Sequence, residues 1–453
     1  MRHLVIGAGP AGLAAVETLR ALDPQAEIAL VCDEPPYARM VLPYYLQGNI
    51  EDRAVLTADA GWFEARGVET VLGRRVTGLE SAEHRVVLDD GTALEYDRCL
   101  VATGSRVRTP DIAGADSAVP MWTLEHARTW LGSPHSETVV VGAGFIAFTI
   151  LDAVVARSRS VRFLEREAQI LPRMLDAVAA GLVQRHLEAR GIQVRTGVEL
   201  ERIEEAGARR RLQLAGGESL ECDSVLLATG IQPNVEFLQG SGVDRNHAIV
   251  VDDRMQTSAP DVYAAGDVAE GPNLQGGART VRAIQPVAVD HGRIAAANMA
   301  GEDVRYDGAL TMNILAVQGL EATSFGHWES QDDVTRVENP ADGIYRKYVW
   351  DGDRLAGGIL VGPTHAVSGL NDAGMLKGLV QSGVALGPWR AHLEENPLDL
   401  RRPYVASGAA KTLLGTTLLA GRASAGGGFR WPAVAPKRGR TPHHGVLTGG
   451  SPR

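Results

Sequence analysis

The feature that most constrains the fold is a glycine turn set between an apolar strand pattern and a helix pattern. His3 to Ile6 is apolar, Gly7-Ala8-Gly9-Pro10-Ala11-Gly12 follows, and an alanine-rich helix pattern runs to about Leu22. Asp23-Pro24 ends that helix, and Ile28 to Cys32 reads as a second strand. A lone G-x-G-x-x-G is a weak signal; in a strand–turn–helix–strand setting it marks a dinucleotide cradle. Gly7 allows the tight turn, Gly9 lets a pyrophosphate approach the backbone, and Gly12 lets helix and strand pack closely. Pro10 and Ala11 open the helix, whose N-terminus offers free N–H groups and a positive dipole end. A ribose-binding acid is expected at the end of the second strand. Cys32 holds the usual last position, so Asp33 and Glu34 are the candidates, with Glu34 favoured.

The pattern recurs. Thr138 to Val141 is a strand, Gly142-Ala143-Gly144-Phe145-Ile146-Ala147 is the turn, and alanine replaces the third glycine. A helix pattern runs to about Ala156, and the strand Val161 to Leu164 ends at Glu165, near the usual ~20-residue spacing from the first glycine. An acid there accepts hydrogen bonds from a free ribose 2′-OH and repels a 2′-phosphate, which favours NADH over NADPH. Arg166 and Arg173 lie nearby and soften that preference if they face the ribose. Each copy closes alike, with Ala102-Thr103-Gly104 in one and Ala228-Thr229-Gly230 in the other. These closing segments join the candidate cofactor contacts. Each is preceded by a meander with a hairpin signal, Asp89-Asp90-Gly91 and Gly216-Gly217. An internal duplication of one large unit implies two dinucleotides held so that they can exchange electrons.

Composition narrows the class. Of 453 residues, 45% are apolar and 22% charged, the profile of a globular protein with two or three domains. A net charge of −10 argues against nucleic acid or an anionic membrane as the main partner. No apolar run reaches the ~18 residues of a spanning helix, and the N-terminus lacks a signal-peptide layout, so a cytoplasmic setting is expected. Cys32, Cys99 and Cys222 are far apart, which leaves no basis for a disulfide framework, a zinc site or a four-thiolate cluster; no metal site is expected.

Together these motifs resemble the two-dinucleotide flavoprotein reductases of the pyridine nucleotide–disulfide oxidoreductase superfamily. Thr257 to Asp267 is similar to that family's returning FAD segment, whose aspartate, here Asp267 after Gly266, meets the flavin ribitol. Ile284-Gln285-Pro286 then precedes a helix pattern from Val287 to about Met299. The resemblance implies that this N-terminus, with Pro286 and Val287, faces the flavin pyrimidine and stabilises charge there. It also orders the chain. The expected fold is α/β, with two Rossmann-like three-layer dinucleotide-binding domains and a C-terminal α+β domain. FAD takes residues 1–110 and 245–305, NAD takes 111–244, and the C-terminal domain spans 306–400, with a hairpin at Tyr345–Trp350 and Leu355–Val361. Such a domain covers the flavin or forms a dimer interface, so a homodimer is among the implied assemblies. From Arg401 the chain has no acid and nine basic residues. A terminal helix is expected over 401–423 and a disordered Gly/Pro-rich tail over 424–453.

The relay cysteine of the coenzyme A disulfide reductases aligns with Met40, and a thioether forms no thiolate. Disulfide reduction is therefore not expected. The stretch Cys32 to Leu42 is more similar to two cysteine-free branches, the ferredoxin and rubredoxin reductases and the flavin module of NADH-dependent nitrite reductase. In them an arginine matching Arg39 contacts FAD. A lysine of the ferredoxin reductases is replaced here by Tyr44, and an acid near the nicotinamide is replaced by Thr149. His365 is read as structural.

The resulting expectation is an FAD enzyme that takes hydride from NADH at flavin N5 and passes electrons to a separate acceptor, an iron–sulfur or haem protein. A self-contained NADH oxidase or small-molecule or quinone reductase is one alternative. A non-catalytic flavin-binding subunit of a larger redox complex is another. No protein acid or base is required for the hydride step, so the expected site is entirely cofactor-binding.

Overall fold

The structure is a computed structural model that describes residues 1–364, 369–413 and 421–423. Residues 1–264 hold two parallel sheets of five strands each. The first runs Val262–Ala264, Arg98–Val101, Arg2–Ile6, Glu27–Cys32, Val68–Leu72 in spatial order. The second runs Gln193–Arg195, Ser160–Leu164, Glu137–Val141, Ser224–Leu227, Val119–Pro120. Their central strands are near-continuous apolar runs because both faces are covered. The two meanders form as three-stranded antiparallel sheets. Gly91 closes one hairpin and Gly216-Gly217 the other, all at positive φ. Where the chain leaves the first unit and where it returns, Ser105–Val107 pairs antiparallel with Ile231–Pro233.

The returning strand Val262–Ala264 docks beside Arg98–Val101, and the helix Gln285–Met299 follows. That helix packs on Pro10–Leu22 so closely that a Cβ on Gly292 would stand 2.1 Å from the Ala11 carbonyl oxygen. Only glycine permits the approach.

The helix expected as one element after the second glycine turn is two. Phe145–Thr149 ends at Ile150, and Leu151–Arg157 resumes. The Thr149 hydroxyl donates back to the Ile146 carbonyl at 2.7 Å, a bond that bends helices. The Asp152 carboxylate, just past the break, accepts from the Gln318 backbone and side-chain amides.

The C-terminal part is a five-stranded antiparallel sheet in the order Met312–Val317, Leu320–Gly326, Arg354–Pro363, Ile344–Asp351, Val334–Asn339. The expected hairpin is its central pair, turned at Gly352 with φ 59°. One face carries the helix Gly369–Ser382 through Leu376, Leu379 and Val380. The other face packs on the second nucleotide unit through Leu315, Val317, Tyr345 and Val361. Asp176 crosses that junction. One oxygen caps the helix Ala177–Glu188 by accepting from the Ala179 N–H, and the other accepts from the Tyr345 hydroxyl at 2.7 Å. The same oxygen faces Lys347 Nζ at 3.5 Å, and that fully buried ammonium also donates to the Trp328 carbonyl.

Instead of one terminal helix over 401–423, two short helices form, Arg401–Ala406 and Ala409–Leu413. Gly408, at φ 79°, separates them. Gly421–Ala423 then pairs antiparallel with Val304–Tyr306. The tail over 424–453 and His365 lie outside the described residues. Among the described residues no helix is long and apolar enough to cross a membrane, and no cluster of three or more side chains is arranged to hold a metal ion.

Candidate functional site

Both glycine turns open onto one continuous cavity of about 2060 Å³. The two turns are built alike. The Gly7 N–H donates to Val31 O at 2.8 Å, and the Gly142 N–H to Leu164 O at 2.8 Å. A Cβ on Gly7 would lie 2.3 Å from Ala102 O, and one on Gly142 would lie 2.5 Å from Ala228 O. Each first glycine is thus pressed against the Ala-Thr-Gly segment that closes its unit, which explains why these segments recur together. Gly9 and Gly144 have nothing within 4 Å of where a Cβ would stand, so each presents bare backbone to open space. Both are N-cap residues without a side-chain cap, and so is Ile284 ahead of Gln285–Met299. Three helix N-termini therefore open without side-chain caps beside one cavity.

The cavity is lined on one side by Gly7, Gly9, Pro10, Ala11, Asp33, Glu34, Arg39, Ala102, Thr103, Gly104, Gly266, Asp267 and Pro286. On the other side it is lined by Gly142, Gly144, Phe145, Ile146, Glu165, Ala228, Thr229 and Gly230. Gly12 and Val287 do not line it. Gly12 is turned into the packing, where a Cβ would stand 1.9 Å from Gly7 O, and Val287 is buried in the core.

The two candidate acids of the first unit are differently held. Asp33 pairs with Arg75 at 2.8 Å at an exposed rim. Glu34 accepts from the Tyr37 hydroxyl at 2.6 Å and stands 3.5 Å from an Arg39 terminal nitrogen. Glu165 is buried, and its oxygens accept from the Ala143 N–H at 2.6 Å and the Glu167 N–H at 2.8 Å. It thus ties strand end to glycine turn, and a carboxylate has further lone pairs for other donors. Arg166, exposed and 3.5 Å from Glu167, and Arg173 both line the cavity.

Sequence reasoning missed a cluster at the first unit's mouth. The Arg39 guanidinium sits 5.1 Å from the Trp122 ring centroid, the Trp122 indole N–H donates to Ser105 O, and the Ser105 hydroxyl donates to Asp267 at 2.7 Å. Burial pushes the Asp267 pKa up, and the Ser105 bond and Arg39 oppose that. Arg39 Nε is buried with no hydrogen-bond partner. Trp122 and Ser105 had no local signal, because tertiary structure alone joins them to Arg39.

The thiols are unsuited to a relay. Burial first, then Asp33 and Glu34, push Cys32 up to about 12; burial also raises Cys99, and it takes Cys222 to about 11. Met40 and Tyr44 are both more than half exposed.

Comparison with known proteins places this geometry. The family model described as pyridine nucleotide-disulphide oxidoreductase matches residues 1–292, and that of the rubredoxin NAD+ reductase C-terminal domain matches 312–374. The NADH-dependent phenylglyoxylate dehydrogenase subunit epsilon of Aromatoleum evansii is 30% identical, over 89% of this chain and 97% of its own. The biphenyl dioxygenase system ferredoxin–NAD(+) reductase component of Paraburkholderia xenovorans is 32% identical, over 61% of this chain and 69% of its own. The fold is that of putidaredoxin reductase in its covalent complex with putidaredoxin, with a TM-score of 0.80 at 24% identity, covering 90% of this chain and 99% of that one. The paired glycine turns, the returning strand and the C-terminal sheet all fall within these matches, and the chain belongs to the pyridine nucleotide-disulphide oxidoreductase family.

Proposed function

We propose that this chain is an FAD-dependent NADH oxidoreductase that hands electrons to a separate iron–sulfur or haem protein in the cytoplasm. The observation that carries the reading is the single cavity joining both glycine turns with the N-terminus of Gln285–Met299. The residues fit two anionic dinucleotides. Bare backbone at Gly9 and Gly144, helix N-termini without side-chain caps and an orphaned Arg39 Nε all await a polyanion.

In this reading the FAD-binding unit comprises 1–110 and 245–305, the NAD-binding unit 111–244 and the covering domain 306–400. Gly9, Pro10 and Ala11 hold the FAD pyrophosphate, and Glu34 or Asp33 its ribose. Asp267, set by Ser105, meets the ribitol. Pro286, in the cavity wall, opens the helix whose N-terminus faces the pyrimidine edge, and Val287 anchors that helix in the core. Gly144, Phe145 and Ile146 hold the second pyrophosphate, and Glu165 accepts from the 2′-OH of NADH. When bound, the flavin supplies the chemistry, accepting hydride at N5 from nicotinamide C4. The protein's part is to align the two rings and exclude water, and no side chain has to move a proton in that step. Relatives named as a ferredoxin–NAD(+) reductase component and a dehydrogenase subunit support an external acceptor. The second of these matches nearly end to end, which favours a companion subunit of a larger complex as that acceptor.

Anaerobic titration with NADH, then NADPH, followed near the flavin band at about 450 nm, tests the reading. Bleaching at one equivalent of NADH with slow reoxidation in air is expected. Rapid reoxidation in air would point to an oxidase, and no bleaching would sink the hydride-transfer reading and leave a non-catalytic subunit.

A further inference from the structure

Arg282 is half-buried in the cavity wall, three residues before Gln285 opens the uncapped helix. One terminal nitrogen donates to the Thr311 hydroxyl, while Nε is buried with no hydrogen-bond partner. Burial pushes its pKa down, and the Glu329 charge offsets this only in part. A guanidinium so placed is an under-compensated cation, and negative charge arriving beside it is stabilised. The two phosphate cradles belong to the other helix N-termini, at Gly9 and Gly144. The end of the cavity that Arg282 shares with Gln285–Met299 is the one assigned above to the flavin pyrimidine edge.

We propose that Arg282, braced by Thr311, is a positioning charge that favours two-electron reduction of the bound flavin by stabilising the negative charge gained at its pyrimidine edge. The inference rests on the FAD assignment made above. The step balances. Hydride carries two electrons and one proton from NADH to the flavin, leaving NAD+ and a reduced flavin with one net negative charge. The side chain and the helix dipole act on that charge together, and neither gains nor loses a proton.

The test is the midpoint potential of the flavin-loaded protein, equilibrated against dyes with xanthine and xanthine oxidase as the electron source. Arg282→Leu is expected to lower the equilibrium constant for reduction at least tenfold, about 30 mV more negative for a two-electron couple. Arg282→Lys keeps the charge and stays within about threefold, on the premise that the charge sets the potential. A merely structural brace would lower the melting temperature of Arg282→Leu and leave its potential unmoved, which overturns the proposal. Equal shifts in Leu and Lys variants overturn it too. Should Arg282→Leu fail to fold or to hold FAD, Glu329→Gln decides, because Glu329 is exposed and its removal leaves the core intact. Loss of that opposing charge shifts the equilibrium toward reduction by about twofold, a screened-surface magnitude; no shift sinks the proposal. Wild-type flavin that xanthine oxidase reduces and NADH does not would refute the proposed function, while the comparison of potentials still decides on Arg282.

Discussion

The two glycine turns share the constraint on the first glycine and the bare second one, and differ in what packs around them. Around the first, backbone meets backbone. Gly12 lies against Gly7 O, Gly292 of the returning helix against Ala11 O, and Gly266 would bring a Cβ within 3.3 Å of the Ala11 methyl. Its helix runs 13 residues. Around the second, Ala147 fills the third-glycine position with a buried methyl, and the helix lasts five residues before breaking at Ile150. Side chains hold it instead, through Phe148 stacked on Phe163 at 5.3 Å and Glu165 bonded to the turn. Under the function proposed above, the cradle of interlocked backbones is the one that holds FAD and the cradle held by side chains is the one that holds NADH.

The largest effect should come from breaking the interlock. Gly292→Val forces a side chain into the Ala11 carbonyl, at a cost near the upper end for overpacking, about 3 kcal/mol. The purified variant should show a lowered urea midpoint and a reduced flavin-to-protein absorbance ratio. Full flavin content with wild-type stability would mean the two helices can separate freely.

Next is Glu165→Ala, which removes a proposed ribose contact and a tie to the Ala143 N–H. NADH affinity should fall at least about tenfold, as for a hydrogen bond to a charged group. NADPH should be affected less, and flavin content should not change. Equal losses for both nucleotides would remove the ribose assignment.

Acid sensitivity should weigh more on the first unit, although burial also lowers the pKa of the half-buried His126 in the second. The buried histidines among the described residues, His3 and His291, both belong to the first, and burial lowers each from 6.5 to about 4, with Arg98 assisting at His3. The unfolded chain takes up these protons at 6.5 and the folded one only near 4. Their contribution is therefore whole above pH 6.5 and is lost as pH falls toward 4, at up to about 1.4 kcal/mol per pH unit for each histidine. Asp290 runs the other way. Its carboxyl is raised to about 7 by burial, against the pull of Arg293 and Lys377, so its contribution is whole below 3.8 and is lost as pH rises through 7. His291→Leu should flatten the acid limb of stability against pH, measured by urea unfolding; an unchanged slope would show that this ring is already charged in the folded state.

The smallest effect is expected from restoring the third glycine. Ala147→Gly loses a buried methyl and helix propensity, about 1–2 kcal/mol, with NADH affinity changed less than about threefold if this turn is held by side chains. A gain in both stability and affinity would mean the second turn is merely a strained copy of the first.

Much of this arrangement was readable from residue order alone. Glycine turns, apolar strands and the closing Ala-Thr-Gly segments are local patterns, and they placed two parallel sheets correctly. The break at Ile150 was not readable, since it depends on a Thr149 bond and on Gln318 reaching Asp152 from far along the chain. The split of the terminal segment at Gly408 was not readable either, since a glycine within a helical pattern ends the helix only where its backbone turns left-handed. In the candidate site, the glycines and acids stood out by motif. Ser105, Trp122, Thr311 and Arg282 did not, because each gains its significance from a neighbour supplied by another part of the chain.

The Asp176 carboxylate is shared property of two folding units. It terminates a helix of the nucleotide unit with one oxygen and receives Tyr345, with Lys347 close by, from the C-terminal sheet with the other. Opening the sheet would take the Tyr345 hydroxyl and the Lys347 charge from the same Asp176 oxygen in one event, so both contacts across this seam are lost together. The two units should therefore melt as one cooperative block, visible as a single calorimetric transition that Asp176→Ala splits in two.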